Sequence, residues 1–406
     1  MLREIKKPNR DHVRRVLQCL VVAMRPLGVK ELAEVLAVDF DDAEGIPKLK
    51  SNWRWEDQEQ ALLASCSSLI AIVDTGSSRV VQFSHFSVKE YLTSERLATS
   101  SQDVSRYHVT LGPAHTILAQ ACMSILLQLH NHDEQDDVDK YSPLARYAAE
   151  YWARHAQYED GASRIRGMED LFDVDKPYFA AWRQLHDIDT EPSESSVFYW
   201  LAHYTDGSRA TTPLYYAALC GFSNLVEQLV VKHPDHVNAL GGCFITPAMA
   251  ALAGRHFQLA DFLRRNGSSV TPGRASAGWT PLHCAAGRGD PEMVQVLLDY
   301  GVDADSRGDG DIGPVTPLYT AARYNGSRVV RLLLDHGADP NAWSKDGNST
   351  PLYAALEEGN IEIARILVEH GASAEVENSD GKTPLDCAPE EHRDEIIKLL
   401  LEHRTK

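Results

Sequence analysis

The tripeptide Thr-Pro-Leu begins at Thr212, Thr280, Thr316, Thr350 and Thr383, and Thr246-Pro247-Ala248 fills the one gap, giving spacings of 34, 34, 36, 34 and 33 residues. Six matches at a near-constant period make the carboxyl-terminal half a chain of six similar units, at about 208–241, 242–275, 276–311, 312–345, 346–378 and 379–406. A unit this short cannot bury an apolar face alone, so its stability has to come from stacking on its neighbours. In each unit the threonine reads as a helix cap, and the proline sits in the first turn, where no backbone N–H is required. Small pairs such as Ala217-Ala218, Ala285-Ala286 and Ala321-Ala322 then allow close approach of a second helix. That second helix, as in Met293–Leu298 or Val329–Leu334, stops at Gly301, Gly337 or Gly371, where a left-handed cap needs no Cβ.

From Asp346-Gly347-Asn348-Ser349-Thr350-Pro351-Leu352 through His370-Gly371-Ala372 the pattern resembles the ankyrin repeat, and the resemblance covers about residues 208–404. It implies helix–turn–helix units joined by hairpin-like loops and stacked into a curved solenoid. Two local motifs invite other readings. The acidic loop 303–311 has Arg307 and Pro314 where a calcium loop needs an oxygen donor and a glutamate, so it reads as a solvated hairpin tip. Gly381-Lys382-Thr383 has Val376 in place of the earlier glycine of a phosphate-binding loop, and it belongs to the sixth unit. The polar outer face of that unit, from Glu390 to Arg393, suits a terminal cap.

The amino-terminal half reads differently. Residues 10–24 carry Val13, Val16, Leu17, Leu20, Val21 and Met24 on one helical side, and Arg25-Pro26-Leu27-Gly28 breaks that helix. A second helix over 29–38 turns Leu32, Val35 and Leu36 inward, and a third follows over 56–64, after a loop with Trp53 and Trp55. Two β-rich runs, 68–73 and 79–83, flank Asp74-Thr75-Gly76-Ser77-Ser78 and predict a hairpin. A helix capped by Ser87, with Glu90 completing a capping box, comes next. Three helices and a two-strand wing give a winged-helix order.

This half is similar to the winged-helix segment of fungal NACHT–ankyrin proteins of the STAND class. The similarity rests on Leu17-Gln18-Cys19-Leu20 to Leu36, on Phe83 to Leu92 and on Leu144 to Trp152. It implies an all-α chain with one small hairpin: a winged-helix-like module at 1–104, a helical linker at 105–207 and the ankyrin solenoid at 208–406. Helices at 107–130 and 143–158 would bridge to the solenoid, with 159–207, including Phe179, Trp182 and Trp200, as an irregular adaptor. The resemblance implies that His85 is an orphaned nucleotide sensor, on the expectation that the chain starts at about the helix leading into the winged helix and lacks the NTPase domain. The alternative reading of His85 is a junction histidine hydrogen-bonded within its own fold.

Charge and cysteine usage narrow the function. With 40 basic against 58 acidic residues the net charge is −18, which argues against direct nucleic-acid binding. No apolar run approaches the ~20 residues that span a bilayer. Seven scattered cysteines suit a reducing compartment, cytoplasmic or nuclear. No Gly-x-Ser-x-Gly, CxxC or HExxH pattern occurs, and His130-Asn131-His132-Asp133-Glu134 reads as a solvated loop. The sequence therefore nominates no catalytic residue, no cofactor and no metal site. The resemblance implies a concave binding face built from residues just before each Thr-Pro and at the end of each first helix: Trp279, Arg288, Val315, Arg323, Tyr324, Ser349, Glu357 and Glu358. The expectation is a monomeric, non-enzymatic adaptor or regulator with a protein partner. The rival expectations are a transcriptional co-regulator working through protein contacts and the detached half of a nucleotide-dependent switch.

Overall fold

Each Thr-Pro of the repeat starts a helix at its proline in the computed structural model, which describes residues 2–5, 7–40, 45–50, 57–66, 68–76, 78–129, 142–188, 211–242, 246–270, 280–310, 313–324, 326–344, 349–388, 393 and 396–398. Two compact units result, Met1–Ile188 and Asp189–Lys406. Trp53, Trp55, the run His130–Glu134, Trp200, Trp279 and Glu390 lie outside the described residues.

In the first unit, α1 (Arg10–Val22) turns Val13, Val16, Leu17, Cys19 and Val21 into the core. Its helix ends before Met24, which is 42% exposed rather than inward. After β1 (Leu27–Gly28) come α2 (Val29–Leu36), the short antiparallel pair β2 (Val38–Asp39) and β3 (Lys48–Leu49), and α3 (Gln58–Cys66). The wing is β4 (Ile70–Asp74) and β5 (Arg79–Phe83), with Ile72 opposite Val81. It is a three-stranded antiparallel sheet in the order β1-β5-β4, because Leu27 also pairs with Val81. A two-residue strand has too little periodicity to be read from sequence.

Next come α4 (Phe86–Leu92), α5 (Glu95–Ala98) and α6 (Gln102–Ser105), then the longer α7 (Leu111–Leu126) and α8 (Ala145–Gln157). These two pack on each other, and α7 packs on α1, all within the first unit. The buried Glu34 carboxylate of α2 fixes the start of α8, accepting from the Leu144 N–H at 2.7 Å and the Ser142 hydroxyl at 3.3 Å. Then follow α9 (Met168–Leu171) and α10 (Tyr178–Leu185), whose Trp182 lies edge-on to Trp152 at 5.3 Å and donates its indole N–H to the Ala149 carbonyl at 2.9 Å.

The second unit is a stack of helix pairs: α11 (Pro213–Leu219) with α12 (Ser223–Lys232), α13 (Pro247–Ala253) with α14 (Phe257–Arg265), α15 (Pro281–Arg288) with α16 (Pro291–Asp299), α17 (Pro317–Arg323) with α18 (Ser327–Asp335), and α19 (Pro351–Glu357) with α20 (Ile361–Glu369). A short antiparallel pair, β6 (Gly308–Gly310) and β7 (Gly313–Val315), lies between α16 and α17. In the sixth unit Pro384–Cys387 forms a 3-10 turn instead of an α-helix.

The Thr212, Thr246 and Thr316 hydroxyls accept from the backbone N–H three residues on, and Thr280 and Thr383 form capping boxes, whereas Thr350 makes no side-chain cap bond. Ala217, Ala218, Ala250, Ala251, Ala285, Ala286, Ala321, Ala322, Ala354 and Ala355 are at most 3% exposed, as close stacking of first helices demands. Gly301, Gly337 and Gly371 end the second helices at φ of +79°, +86° and +91°, in the left-handed region that glycine enters freely.

Candidate partner-binding surface

In the first five units the first helix is only seven or eight residues long, so its last turn falls at a fixed offset from the capping threonine. Residues seven, eight and nine positions past that threonine form a repeating row. Among the described residues the ninth position is left-handed in four units, as Gly221 (φ +74°), Arg255 (φ +62°), Gly289 (φ +64°) and Gly359 (φ +70°). Three are glycine, as the backbone prefers; the second unit holds an arginine there at a conformational cost. The Arg255 guanidinium reaches into the next unit, lying 3.5 Å from Asp290 Oδ2 and pairing with Glu292.

Farther along the row, Arg288 is exposed, Tyr324 is 43% exposed, and Glu357 and Glu358 are exposed. Arg323 Nε lies 3.5 Å from Glu358 Oε1, a second ion pair between consecutive units. Such exposed pairs contribute about 0–1 kcal/mol each. Their charges therefore remain open to exchange with an incoming partner. Ser349 is half-buried, its N–H bonded to Ser344 Oγ at 3.1 Å.

Val315 departs from the expected surface set. It pairs with Gly308 in the β6–β7 hairpin, and its side chain is 2% exposed. Its carbonyl instead accepts from His283 Nε2 at 2.9 Å. His283 is fully buried, 2.7 Å from Thr280 Oγ1 through Nδ1, and burial holds its imidazole down to about 4 against the usual 6.5. It is a neutral internal brace. Arg255 is the member of the row that sequence reasoning missed. The signal was available as a break in a position that holds glycine in neighbouring units.

The cleft beside Arg288, lined also by Met249, Pro281, Asp290 and Met293, has a volume of only about 20 Å³. Small-molecule sites run to ~300–1,000 Å³, so this cleft is too small to enclose such a ligand. In the first unit a cleft of about 720 Å³ lies beside α4, lined by Leu2, Leu69, Val88, Tyr91 and Val104 among others. His85 stands at the start of that helix. It, and not Ser87, is the N-cap: its Nδ1 accepts from the Ser87 N–H at 3.2 Å and lies 2.7 Å from the Ser87 hydroxyl.

The two family models that match the chain agree with this architecture. A family model described as ankyrin repeats (3 copies) matches residues 248–344 and 342–406. The second unit is an ankyrin-repeat stack. A model described as the winged-helix domain of GPI inositol-deacylase matches residues 3–102. A Monascus ruber relative, azaphilone pigments biosynthesis cluster protein L, is 30% identical over 278 residues, which is 64% of this chain and 56% of that protein. The chain thus spans about half the length of that relative. Mouse ankyrin repeat and SAM domain-containing protein 6 is 31% identical over 24% of this chain and 11% of its own length. Mouse RelA-associated inhibitor is 37% identical over 21% of this chain and 10% of its own. The solved human ASB11 ankyrin repeat domain aligns at 25% identity and a TM-score of 0.39, over 52% of this chain and 93% of that one. The ankyrin stack is a non-catalytic protein-interaction scaffold. Among the described residues, no helix is long and apolar enough to cross a membrane.

Proposed function

We propose that the chain is an adaptor or regulator that docks a protein partner along the row Arg255, Arg288, Arg323, Tyr324, Glu357 and Glu358, with Ser349 at its margin and Trp279 as a further contact of the same partner. The observation that carries this reading is Arg255, a side chain held in left-handed backbone where glycine would be unstrained. Backbone strain of this kind persists where the side chain has a use. An arginine and a tyrosine among exchangeable exposed ion pairs match the composition of binding hot spots, and alternating charges would set orientation and on-rate more than affinity. A footprint of roughly 800 Å² per partner would engage three or four units.

A regulatory role exercised through protein contacts is favoured by two of the relatives: one belongs to a pigment biosynthesis cluster and another is an inhibitor associated with RelA. His85 serves as a helix cap through Ser87, which supports the structural reading of that histidine over the sensor reading.

Photo-crosslinking tests the proposal. A benzophenone amino acid is placed at Tyr324 in one variant and at Val231, 84% exposed on a second helix, in another. The expected result is a discrete set of adducts from position 324 that disappears on Arg255→Gly plus Arg323→Ala, with far-UV circular dichroism unchanged. Equal adducts from both positions, or adducts indifferent to the arginines, would refute the assignment.

A further inference from the structure

The first repeat ends its second helix differently from the four repeats that follow it. Where later units turn through Tyr300-Gly301, His336-Gly337 and His370-Gly371, this unit has His233-Pro234. Proline holds φ near −65° and cannot take the left-handed cap. The chain enters a 3-10 turn, Pro234–Asn238, in which the His236 N–H donates to the His233 carbonyl at 3.0 Å. Side chains three residues apart eclipse in that geometry. The His236 ring accordingly stacks on His233, with centroids 5.0 Å apart and planes 17° from parallel. Asp235 between them brings its Oδ2 to 3.8 Å from His236 Nε2, and one ligand atom from each of the three residues lies within 4.8 Å of the others.

The two histidines at the same position in later repeats are occupied. His336 and His370 each engage a backbone carbonyl, Leu332 and Ile366, through Nδ1 at 2.8 Å. His233 has Nε2 buried with no hydrogen-bond partner. The turn that carries it is also fastened to the next repeat. Val237 O accepts from the Ser268 hydroxyl at 2.8 Å, and Asn238 donates to Gly267 O at 2.6 Å while accepting from the Ser269 N–H at 2.8 Å.

We propose that His233, Asp235 and His236 form a binding site for a divalent transition-metal ion, with Zn²⁺ as the probe ion. Two imidazoles and one carboxylate suit Zn²⁺ and its neighbours and do not suit Mg²⁺ or Ca²⁺, which prefer all-oxygen shells. All three donors fall within four consecutive residues, so metal binding closes no long loop. Ligand bonds of about 2.0–2.2 Å require the donors to draw together, and the 79% exposed Asp235 side chain is free to swing toward the rings. Water completes the coordination. The site is separate from the partner-binding row and does not depend on it.

Isothermal titration of the chelator-treated full chain with Zn²⁺ tests the site, with Mg²⁺ as the control ion. The wild type should bind one equivalent of Zn²⁺ that His233→Gln and His236→Gln each weaken by about tenfold or more. Asp235→Asn should weaken it as well. His336→Gln and His370→Gln should leave it unchanged, since their imidazoles serve the backbone. Circular dichroism confirms that each variant stays folded. Absence of stoichiometric Zn²⁺ uptake by the wild type, or wild-type uptake by folded His233→Gln and His236→Gln, would overturn the proposal.

Discussion

Acid should destabilise the first unit through one histidine. His155 is 0% exposed, with Nε2 2.9 Å from the Tyr147 hydroxyl and Nδ1 2.7 Å from His115 Nδ1. The Met24 N–H donates to that hydroxyl at 3.1 Å. The arrangement that uses every proton has Tyr147 O–H donating to His155 Nε2 and His155 Nδ1–H donating to His115. Burial, and then the nearness of His115, hold the His155 imidazole down to about 3 against the usual 6.5. Burial moves His115 in the same direction. Between those two pH values the unfolded chain binds a proton that the folded chain refuses. Stability therefore falls as pH falls, by about 1.4 kcal/mol per pH unit below 6.5, with the loss complete near 3. Going from pH 7 to pH 5 costs about 2 kcal/mol by this route. His155→Gln removes the titrating group. Urea unfolding of the full chain at pH 7, 6 and 5, followed by near-ultraviolet circular dichroism, reads the effect. The variant starts less stable at pH 7, but its first-unit transition should lose about 2 kcal/mol less than the wild type on going to pH 5. Parallel pH profiles for the two proteins would refute the reasoning.

Two further outcomes follow from packing. A Cβ at Gly254 would press into the Leu219 carbonyl and the His256 ring, whereas one at Gly337 meets nothing within 4 Å but sits at φ +86°. Gly254→Ala should cost about 1–3 kcal/mol by overpacking and Gly337→Ala about 1–2 kcal/mol by backbone strain alone; urea midpoints combined with thermal scans would check both. Glu34→Ala strands the buried Leu144 N–H and should cost about 2–3 kcal/mol, with faster hydrogen exchange at the start of Ala145–Gln157, whereas Glu34→Gln should restore most of the protection.

The features legible in the sequence are those set by neighbours a few residues away. Thr-Pro placed the first helices, and Gly301, Gly337 and Gly371 placed the ends of second helices, because caps and left-handed turns are local requirements. What escaped was set by partners far along the chain or by a competing local donor. The third strand of the wing exists because Leu27 finds Val81. Ser87 looked like the cap, yet the His85 imidazole reached its N–H first. Val315 looked like surface because it precedes a Thr-Pro, but hairpin pairing with Gly308 folds it inward over His283. Arg255 went unnoticed because its distinction lies in what the neighbouring units hold at the same offset, Gly221, Gly289 and Gly359, and not in its own surroundings.

Asn238 grips Gly267 and Ser269 of the following loop, Asp305 accepts from the Asp339 N–H of the loop after it, and Asn341 repeats the grip on Gly371 and Ser373. Among the described residues, each of these bonds joins one loop to an adjacent loop. Tension applied along the stack is therefore borne in series, and a break in one such bond leaves those on either side intact. Local opening at one loop therefore need not spread beyond its immediate neighbours in the stack.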